Sequence, residues 1–232
     1  MPPVLPAAAL IFVSAYFLGS IPFGHLIARS RGIDIRAHGS RNIGATNVWR
    51  VLGRKWGLMT FFADVAKGFF AVILAFFLAG AFPGAFRDAG FAGIIGAIGC
   101  IIGHNFPIWL KFRGGKGVAT SLGVIIGMMP LASAIVFAIW LLIFRVTRYV
   151  SLASIVAAMA LPVVVIALLF LPGPRTGWAN FYFACAAALL VIARHRGNIQ
   201  RLLAGTENRF GTPAATEATN ENPQQTPDRD KT

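Results

Sequence analysis

Two stretches of this chain gather side chains that can do chemistry. In "KFRGGKGVATSLG", residues 111–123, Gly114, Gly115 and Gly117 surround Lys116 directly before an apolar run. Glycines so placed free backbone N–H groups, and an ammonium at a helix start adds charge where the helix dipole already favours anions. The pattern is not that of a nucleotide P-loop, which needs Ser or Thr after the lysine; here Gly117 follows Lys116, and no acid stands near to hold magnesium. The other stretch, "RGIDIRAHGSRNIGATNVWRVLGRK", interleaves Gly39 and Gly44 with Ser40, Asn42, Thr46 and Asn47 and closes with Arg50. Short hydroxyl and amide donors set among glycines suit an anion, and an arginine can grip phosphate through two parallel bonds. Phosphate binding is the chemistry that both loops suggest.

Smaller signals flank them. His104 and Asn105 end the apolar run before the second loop, where a histidine either packs or caps. Ser151 and Ser154 open another run as candidate helix caps. In "ARHRGNIQRLLAGTENRFG", His195 and Asn198 stand three apart, on one face if the helix continues. Asp64 and Lys67 share that spacing inside an apolar segment and read as an intramembrane ion pair facing other helices. There is no H-x-x-x-x-D pair, no G-x-S-x-G elbow, no C-x-x-C, and no cluster of carboxylates or histidines suited to a metal. A cationic site almost without acids suits a substrate that brings its own activation, and no cofactor is expected.

The elements that must position these loops are membrane spans. Hydrophobic residues make up 56% of the chain and charged residues 12%, about half the charged fraction of a soluble domain. Apolar runs cover 5–28, 56–80, 91–110, 151–171 and 178–194, each near the ~20 residues that cross a bilayer. The first run lacks a basic leader and a cleavage site, so it is expected to be a retained span. Cys100 and Cys185 both lie in apolar runs, where small packing residues rather than a disulfide are expected. Residues 1–211 form the membrane domain, and 212–232, without aromatics or large aliphatics, are expected to be a disordered polar tail.

Charge sets the orientation. Of nineteen Lys and Arg in residues 1–211, sixteen fall in 29–55, 111–117, 145–150 and 194–211, with Lys67 inside a span and Arg87 and Arg175 apart. Those four stretches share one face only if 117–145 is two short spans turning at Met128-Met129-Pro130. The expected architecture is therefore an all-α polytopic membrane protein of seven spans, some short, with the N-terminus outside and the C-terminus in the cytoplasm. Net charge of +13 on such a chain reflects positive-inside bias and anionic substrates, not nucleic acid.

Taken together, "GSRNIGATN", "GHNFPIWLKFRGGKGVAT", "RYVSLAS" and "RHRGNIQRLLAGTE" resemble the bacterial acyl-phosphate:glycerol-3-phosphate acyltransferase family, in the right order across about residues 10–210. Two positions depart from its pattern: Arg41 stands where glycine is usual and Arg113 where lysine is usual. The resemblance implies a plasma-membrane enzyme with its site on the cytoplasmic face, acting at the start of phospholipid synthesis. It would move an acyl group from acyl phosphate to the sn-1 hydroxyl of glycerol-3-phosphate, giving lysophosphatidic acid and inorganic phosphate. By the same resemblance, Ser40, Arg50, Lys116, His195 and Asn198 surround glycerol-3-phosphate. Gly39, Asn42, Gly44, Thr46, Asn47, Gly114, Gly115 and Ser154 would serve acyl phosphate. Ser40, Lys116, His195 and Asn198 would carry the catalysis; the hydroxyl proton goes to His195 or to a substrate phosphate. The partners implied are these two substrates and membrane lipid; the oligomeric state stays open, a monomer being compatible. A transporter or flippase of a phosphorylated metabolite is the alternative, though such proteins show repeated halves, and none is visible here. A lipid-binding scaffold would account for the arginines but not for the placed glycines.

Overall fold

The computed structural model describes residues 3–86, 88–171 and 177–211. The tail from 212 onward, Arg87 and Arg175 lie outside the described residues. Among those described the chain is helical throughout, without strands.

The first span is two helices, α1 (Val4–Ser20) and α2 (Phe23–Arg29), parted at Ile21-Pro22 because proline cannot donate to the ladder. An amphipathic α3 (Ala45–Leu52) follows the first polar loop, and α4 (Arg54–Gly80) starts immediately beyond Gly53. Helix α5 (Ala89–Asn105), capped by the Asp88 carboxylate accepting from the Gly90 N–H, runs through a short 3₁₀ turn, Ile108–Leu110, into the second polar loop. Then come α6 (Val118–Met128), α7 (Pro130–Thr147), α8 (Val150–Leu169), α9 (Trp178–Arg194) and α10 (Arg196–Leu203).

The interruption expected at 128–130 is present: α6 ends at Met128 and Pro130 opens α7, where its missing N–H costs nothing. With eleven residues, α6 is about 16 Å long, half a hydrocarbon core. Five spans, Val4–Arg29, Arg54–Gly80, Ala89–Leu110, Pro130–Thr147 and Val150–Leu169, are long and apolar enough to cross a bilayer; the bent pair α9–α10 makes a sixth. The protein is an integral membrane protein.

Helix α1 packs on α5 and α4, and α4 packs on α6 and α5; α7 leans on α8, and α8 on α9. Two of these contacts are backbone against backbone. A Cβ on Gly19 or Gly103 would strike the main chain of the opposite helix at Cys100 or Tyr16, and one on Gly68 or Gly123 would strike Thr120 or Val65. Bilayers offer helices no hydrophobic drive to associate, so small residues that allow close approach supply the attraction by dispersion. Between the pairs lies a core of Val72, Ala97, Ile101, Val124, Leu161 and Phe183.

Within that core Lys67 Nζ sits 2.7 Å from Asp64 Oδ1, both side chains all but inaccessible. Lys67 also donates to the Ile21 carbonyl at 2.9 Å, which accepts from the Phe23 N–H as well at 3.1 Å where α1 breaks at Pro22. The expected ion pair thus has a second duty, tying α4 to the bend in the first span.

Candidate active site

The first polar loop is built around one buried amide. Asn47 Nδ2 donates to the carbonyls of Ile35 (3.3 Å), His38 (3.1 Å) and Asn42 (2.8 Å), while its Oδ1 accepts from the Ser40 N–H at 2.8 Å. Asn42 Oδ1 accepts from the Gly44 N–H at 2.8 Å, the turn that launches α3. Both asparagines therefore spend these groups on holding the loop. Gly39, with φ of +56°, lies against the Asn47 carboxamide, and any Cβ there would collide with it. Arg41 keeps the left-handed conformation, φ +58°, that a glycine would adopt freely, so its departure from the resembled pattern leaves the loop path intact. What this scaffold presents to the interior is Ser40, Thr46 and Arg50.

The second loop is clamped from both sides. Gly114 and Gly115 donate their N–H groups to the carbonyls of Asn105 and His104, each at 3.1 Å. Their own carbonyls accept from the Arg194 guanidinium, with Nη2 to Gly115 O at 2.7 Å, and Arg194 rests over the Phe106 ring. The Gly115 Cα lies so close to the His104 ring that no side chain fits between them. Gly39, Gly114 and Gly115 do not line the cavity. The N–H groups of Gly114 and Gly115 are already spent, so the expected backbone cradle reduces to Gly117 and the first turn of α6. Gly117, φ +80°, turns the chain into α6 just behind Lys116.

Lys116 Nζ donates to Asn198 Oδ1 at 2.5 Å, joining the second loop to α10. Asn198 Nδ2 in turn donates to Glu207 Oε1 at 2.6 Å, and Glu207 also accepts from Ser151 Oγ and Arg201 Nε, each at 2.7 Å. Burial pushes the Lys116 ammonium down to about 8, helped by Arg201, Arg194 and Arg50 and opposed by the Glu207 carboxylate. Burial alone would raise Glu207, but the hydrogen bonds from Ser151, Asn198 and Arg201 outweigh it and hold the carboxyl below its usual range.

His195 stands just past α9, where the chain bends by 60° into α10. The helix does not continue as the His195–Asn198 spacing supposed, yet the bend keeps both side chains on the cavity. Its Nδ1 lies 2.7 Å from the Val191 carbonyl. A carbonyl only accepts, so Nδ1 carries the hydrogen and Nε2 keeps a lone pair. Burial lowers the ring to about 4, against the pull of the Val191 hydrogen bond, so it is neutral at pH 7.

Neither serine expected to cap α8 does so. Tyr149 is the cap residue; Ser151 serves Glu207, and Ser154 donates to the Val150 carbonyl and accepts from Trp140 Nε1 at 3.2 Å. A hydroxyl inside the first turn finds its own helix carbonyl or a neighbour before it can reach back to an N–H.

All of this surrounds one cavity of about 440 Å³. Ser40, Asn42, Gly44, Thr46, Asn47, Arg50, Lys116, Ser154, His195 and Asn198 line it, as do Asp64 and His104 at its floor. His104 Nδ1 faces Asp64 Oδ1 at 3.6 Å. Away from the charged end the walls become apolar, with Phe61 on α4, Leu122 and Ile125 on α6, Phe137, Trp140 and Phe144 on α7, and Leu161 on α8. Sequence reading missed Arg201 and Glu207 as site residues, along with the whole apolar wall. The spacing of Phe137, Trp140 and Phe144 on one helical face was a usable signal; Glu207 had none, since its partners come from α8 and α10.

A membrane protein with a cavity that is cationic at the loop end and oily within the bundle has a receptacle for an amphipathic anion. Comparison with known proteins narrows this. Residues 9–205 match the model of the family described as glycerol-3-phosphate acyltransferase. The glycerol-3-phosphate acyltransferase of Desulforudis audaxviator is 45% identical over 207 residues, 88% of this chain and 96% of that one. Its counterpart in Aquifex aeolicus is 42% identical over 203 residues, 88% and 99% of the two chains. The crystal structure of PlsY, an integral membrane glycerol 3-phosphate acyltransferase, in its glycerol 3-phosphate form superposes with a TM-score of 0.78 at 40% identity, covering 88% of this chain and 96% of that one. Its lysophosphatidic acid form gives 0.76. The chain belongs to the glycerol-3-phosphate acyltransferase family.

Proposed function

We propose that the protein transfers a fatty acyl group from acyl phosphate to the sn-1 hydroxyl of glycerol-3-phosphate, yielding lysophosphatidic acid and inorganic phosphate, as the first step of phospholipid synthesis. The observation that carries this reading is the continuity of the cavity. Lys116, Arg50, Arg201, His195 and Asn198 at one end meet the aromatic and aliphatic wall at the other. Two phosphates need the first and a fatty chain needs the second, and the reacting carbonyl belongs at their junction. We assign the site to the cytoplasmic face of the plasma membrane in a seven-span arrangement, α6 and α9 completing the five long spans, with the N-terminus outside. Gathering of the basic loops at the cavity end supports that orientation.

The chemistry asks little of the protein beyond placement. Acyl phosphate is a mixed anhydride, so the glycerol hydroxyl attacks its carbonyl directly; a new C–O bond forms, the bond from the acyl carbon to the bridging phosphate oxygen breaks, and phosphate leaves with that electron pair. Lys116, Arg50 and Arg201 neutralise the charge, and Ser40 and Asn198 add hydrogen bonds. Asn42, Gly44, Thr46 and Asn47 shape the first loop against the second phosphate, with Gly39, Gly114, Gly115 and Ser154 holding the walls behind it. Orientation and preorganised charge supply most of such a rate. His195 Nε2, the free lone pair of a neutral ring, accepts from the attacking hydroxyl and aims it. A ring that binds a proton only near pH 4 is a poor final base, so the proton ends on a phosphate oxygen, whose second ionisation lies at about 6.

Purified protein incubated with palmitoyl phosphate and labelled glycerol-3-phosphate should give labelled lysophosphatidic acid and an equal amount of phosphate. Acyl-CoA in place of palmitoyl phosphate should give none, and efficient turnover with acyl-CoA alone would overturn the donor assignment.

A further inference from the structure

The segment after α10 belongs to no helix and crosses the cavity rim. It is bounded by two glycines in the left-handed region, Gly205 (φ +68°) and Gly211 (φ +87°), both in open space. Between them it is fastened at three points. Glu207 is held by Ser151, Asn198 and Arg201, Arg209 lies over the Tyr149 ring, and the Phe210 N–H donates to the Arg148 carbonyl at 2.8 Å. The Phe210 side chain stands edge-on to two rings, Trp49 of α3 at 5.1 Å and Phe144 of α7 at 5.4 Å. All three line the cavity.

That position matters because of what flanks it. Helices α4 and α7 both contribute cavity wall, yet α4 packs mainly on α1, α3, α5 and α6, while α7 packs on α8 and α6. The side of the cavity between them therefore lacks a well-packed helix seam to seal it from the bilayer. Phe144, Trp140 and Phe137 stack in a row down α7, and Phe210 joins the top of that row to Trp49. Edge-on ring contacts are weak and readily remade, whereas the root of the segment at Glu207 is fixed by charged bonds.

We propose that Phe210 is a selecting residue for the lipid substrate: it bridges α3 and α7 across the bilayer-side mouth of the cavity, and its displacement admits and releases the acyl chain. Glycerol-3-phosphate, which is water-soluble, reaches the charged end without passing it. The assignment rests on the acyltransferase reading above for the identity of the lipid, but not for the passage itself.

The test uses the full chain in lipid nanodiscs, with Cys100 and Cys185 replaced by Ala and with Trp49→Cys and Phe210→Cys joined by a reducible bis-methanethiosulfonate. With Trp56, Trp109 and Trp178 also replaced by Phe, Trp140 is the remaining tryptophan, and a lysophosphatidic acid brominated along its chain quenches it on arrival in the cavity. Linking should slow that quenching by about ten-fold or more, as closure of a gate does, and reductant should restore it. Glycerol-3-phosphate binding by calorimetry should stay within about two-fold of the reduced protein, since only the gate is closed. Phe210→Ala alone should speed both uptake and release of the brominated lipid. The same reagent on Phe210→Cys alone controls for added bulk. Unchanged quenching in the linked protein, or equal loss of lipid and glycerol-3-phosphate binding, overturns the assignment. If the linked protein behaves as expected but the reduced protein never turns over palmitoyl phosphate, the donor reading fails and Phe210 keeps its role.

Discussion

Lys116 concentrates the residue-scale consequences. Its ammonium is pushed down to about 8 by burial, so the free enzyme holds that charge below pH 8 and loses it above. Glycerol-3-phosphate is a dianion from about pH 7 upward. Consequently kcat/KM for glycerol-3-phosphate should be near its maximum at about pH 7, drop to about half by pH 8 and then fall towards ten-fold per unit. At saturation kcat should hold to higher pH, because a bound dianion favours the protonated amine. Lys116→Arg should abolish the descending limb while restoring only part of the rate, since a planar fork replaces a compact donor on a crowded loop. A limb that survives in Lys116→Arg belongs to another group. Lys116→Ala should cost about 2–5 kcal/mol, or about thirty-fold to several thousand-fold in kcat/KM. Lys111→Ala, at an exposed left-handed position outside the cavity, should cost little. Equal losses in the two alanine variants, measured on protein shown to be folded, would refute the phosphate role of the loop. Lys116 was legible because glycines crowd around it. The sequence could not show that Gly114 and Gly115 spend their N–H groups on α5, because hydrogen-bond partners of loops are set by tertiary packing.

Among the elements, α4 carries the most constrained relation, since its Asp64–Lys67 pair also secures the bend of the first span. Lys67→Met leaves the buried Asp64 carboxylate at the cavity floor without its ammonium partner and should destabilise the fold by about 3–5 kcal/mol, whereas Asp64→Asn with Lys67→Met should recover most of that. Thermal unfolding in detergent distinguishes the two; equal destabilisation of single and double variants would show that the ammonium matters chiefly to Ile21. The i, i+3 spacing made this pair legible, as hydropathy did four of the five long spans; the fifth, Pro130–Thr147, and the α6–α7 break came from charge bias and Pro130. Other junctions were silent. The bend at His195 has no proline, and Gly197, two residues on, lies inside α10; the ring bonded to the Val191 carbonyl and the Lys116–Asn198 contact accompany the bend. The serines of α8 were misassigned for a related reason: the cap rule concerns the residue before the first turn, and the boundary lay at Tyr149.

For the molecule as a whole, orientation follows from where the cations gather. In a cysteine-free background, single cysteines at Pro83 or Gly177 should react with a membrane-impermeant thiol reagent applied outside intact cells. Cysteines at Arg41 or Leu203 should react only after the membrane is opened. Labelling of Leu203→Cys from outside would overturn the seven-span orientation. Charge bias and spans were readable over most of the chain, because bilayer thickness and the membrane potential act on every residue alike. The cavity was not, for its wall is drawn from eight helices, α3 to α10, that only the fold brings together.

The backbone contacts at Gly19, Gly103, Gly68 and Gly123 bear on inheritance. Every codon change at these sites that replaces glycine adds atoms where another helix's main chain already lies, so no neighbour can rotate aside to accept it. In a library selected for growth on this gene alone, the four positions should be as intolerant as Lys116 although no substrate reaches them. The two kinds of intolerance separate on a second axis: variants of the four glycines should vanish from the membrane fraction, while Lys116 variants should accumulate there, inactive. A ranking of sites by survival alone would therefore place the bundle's seams beside its chemistry.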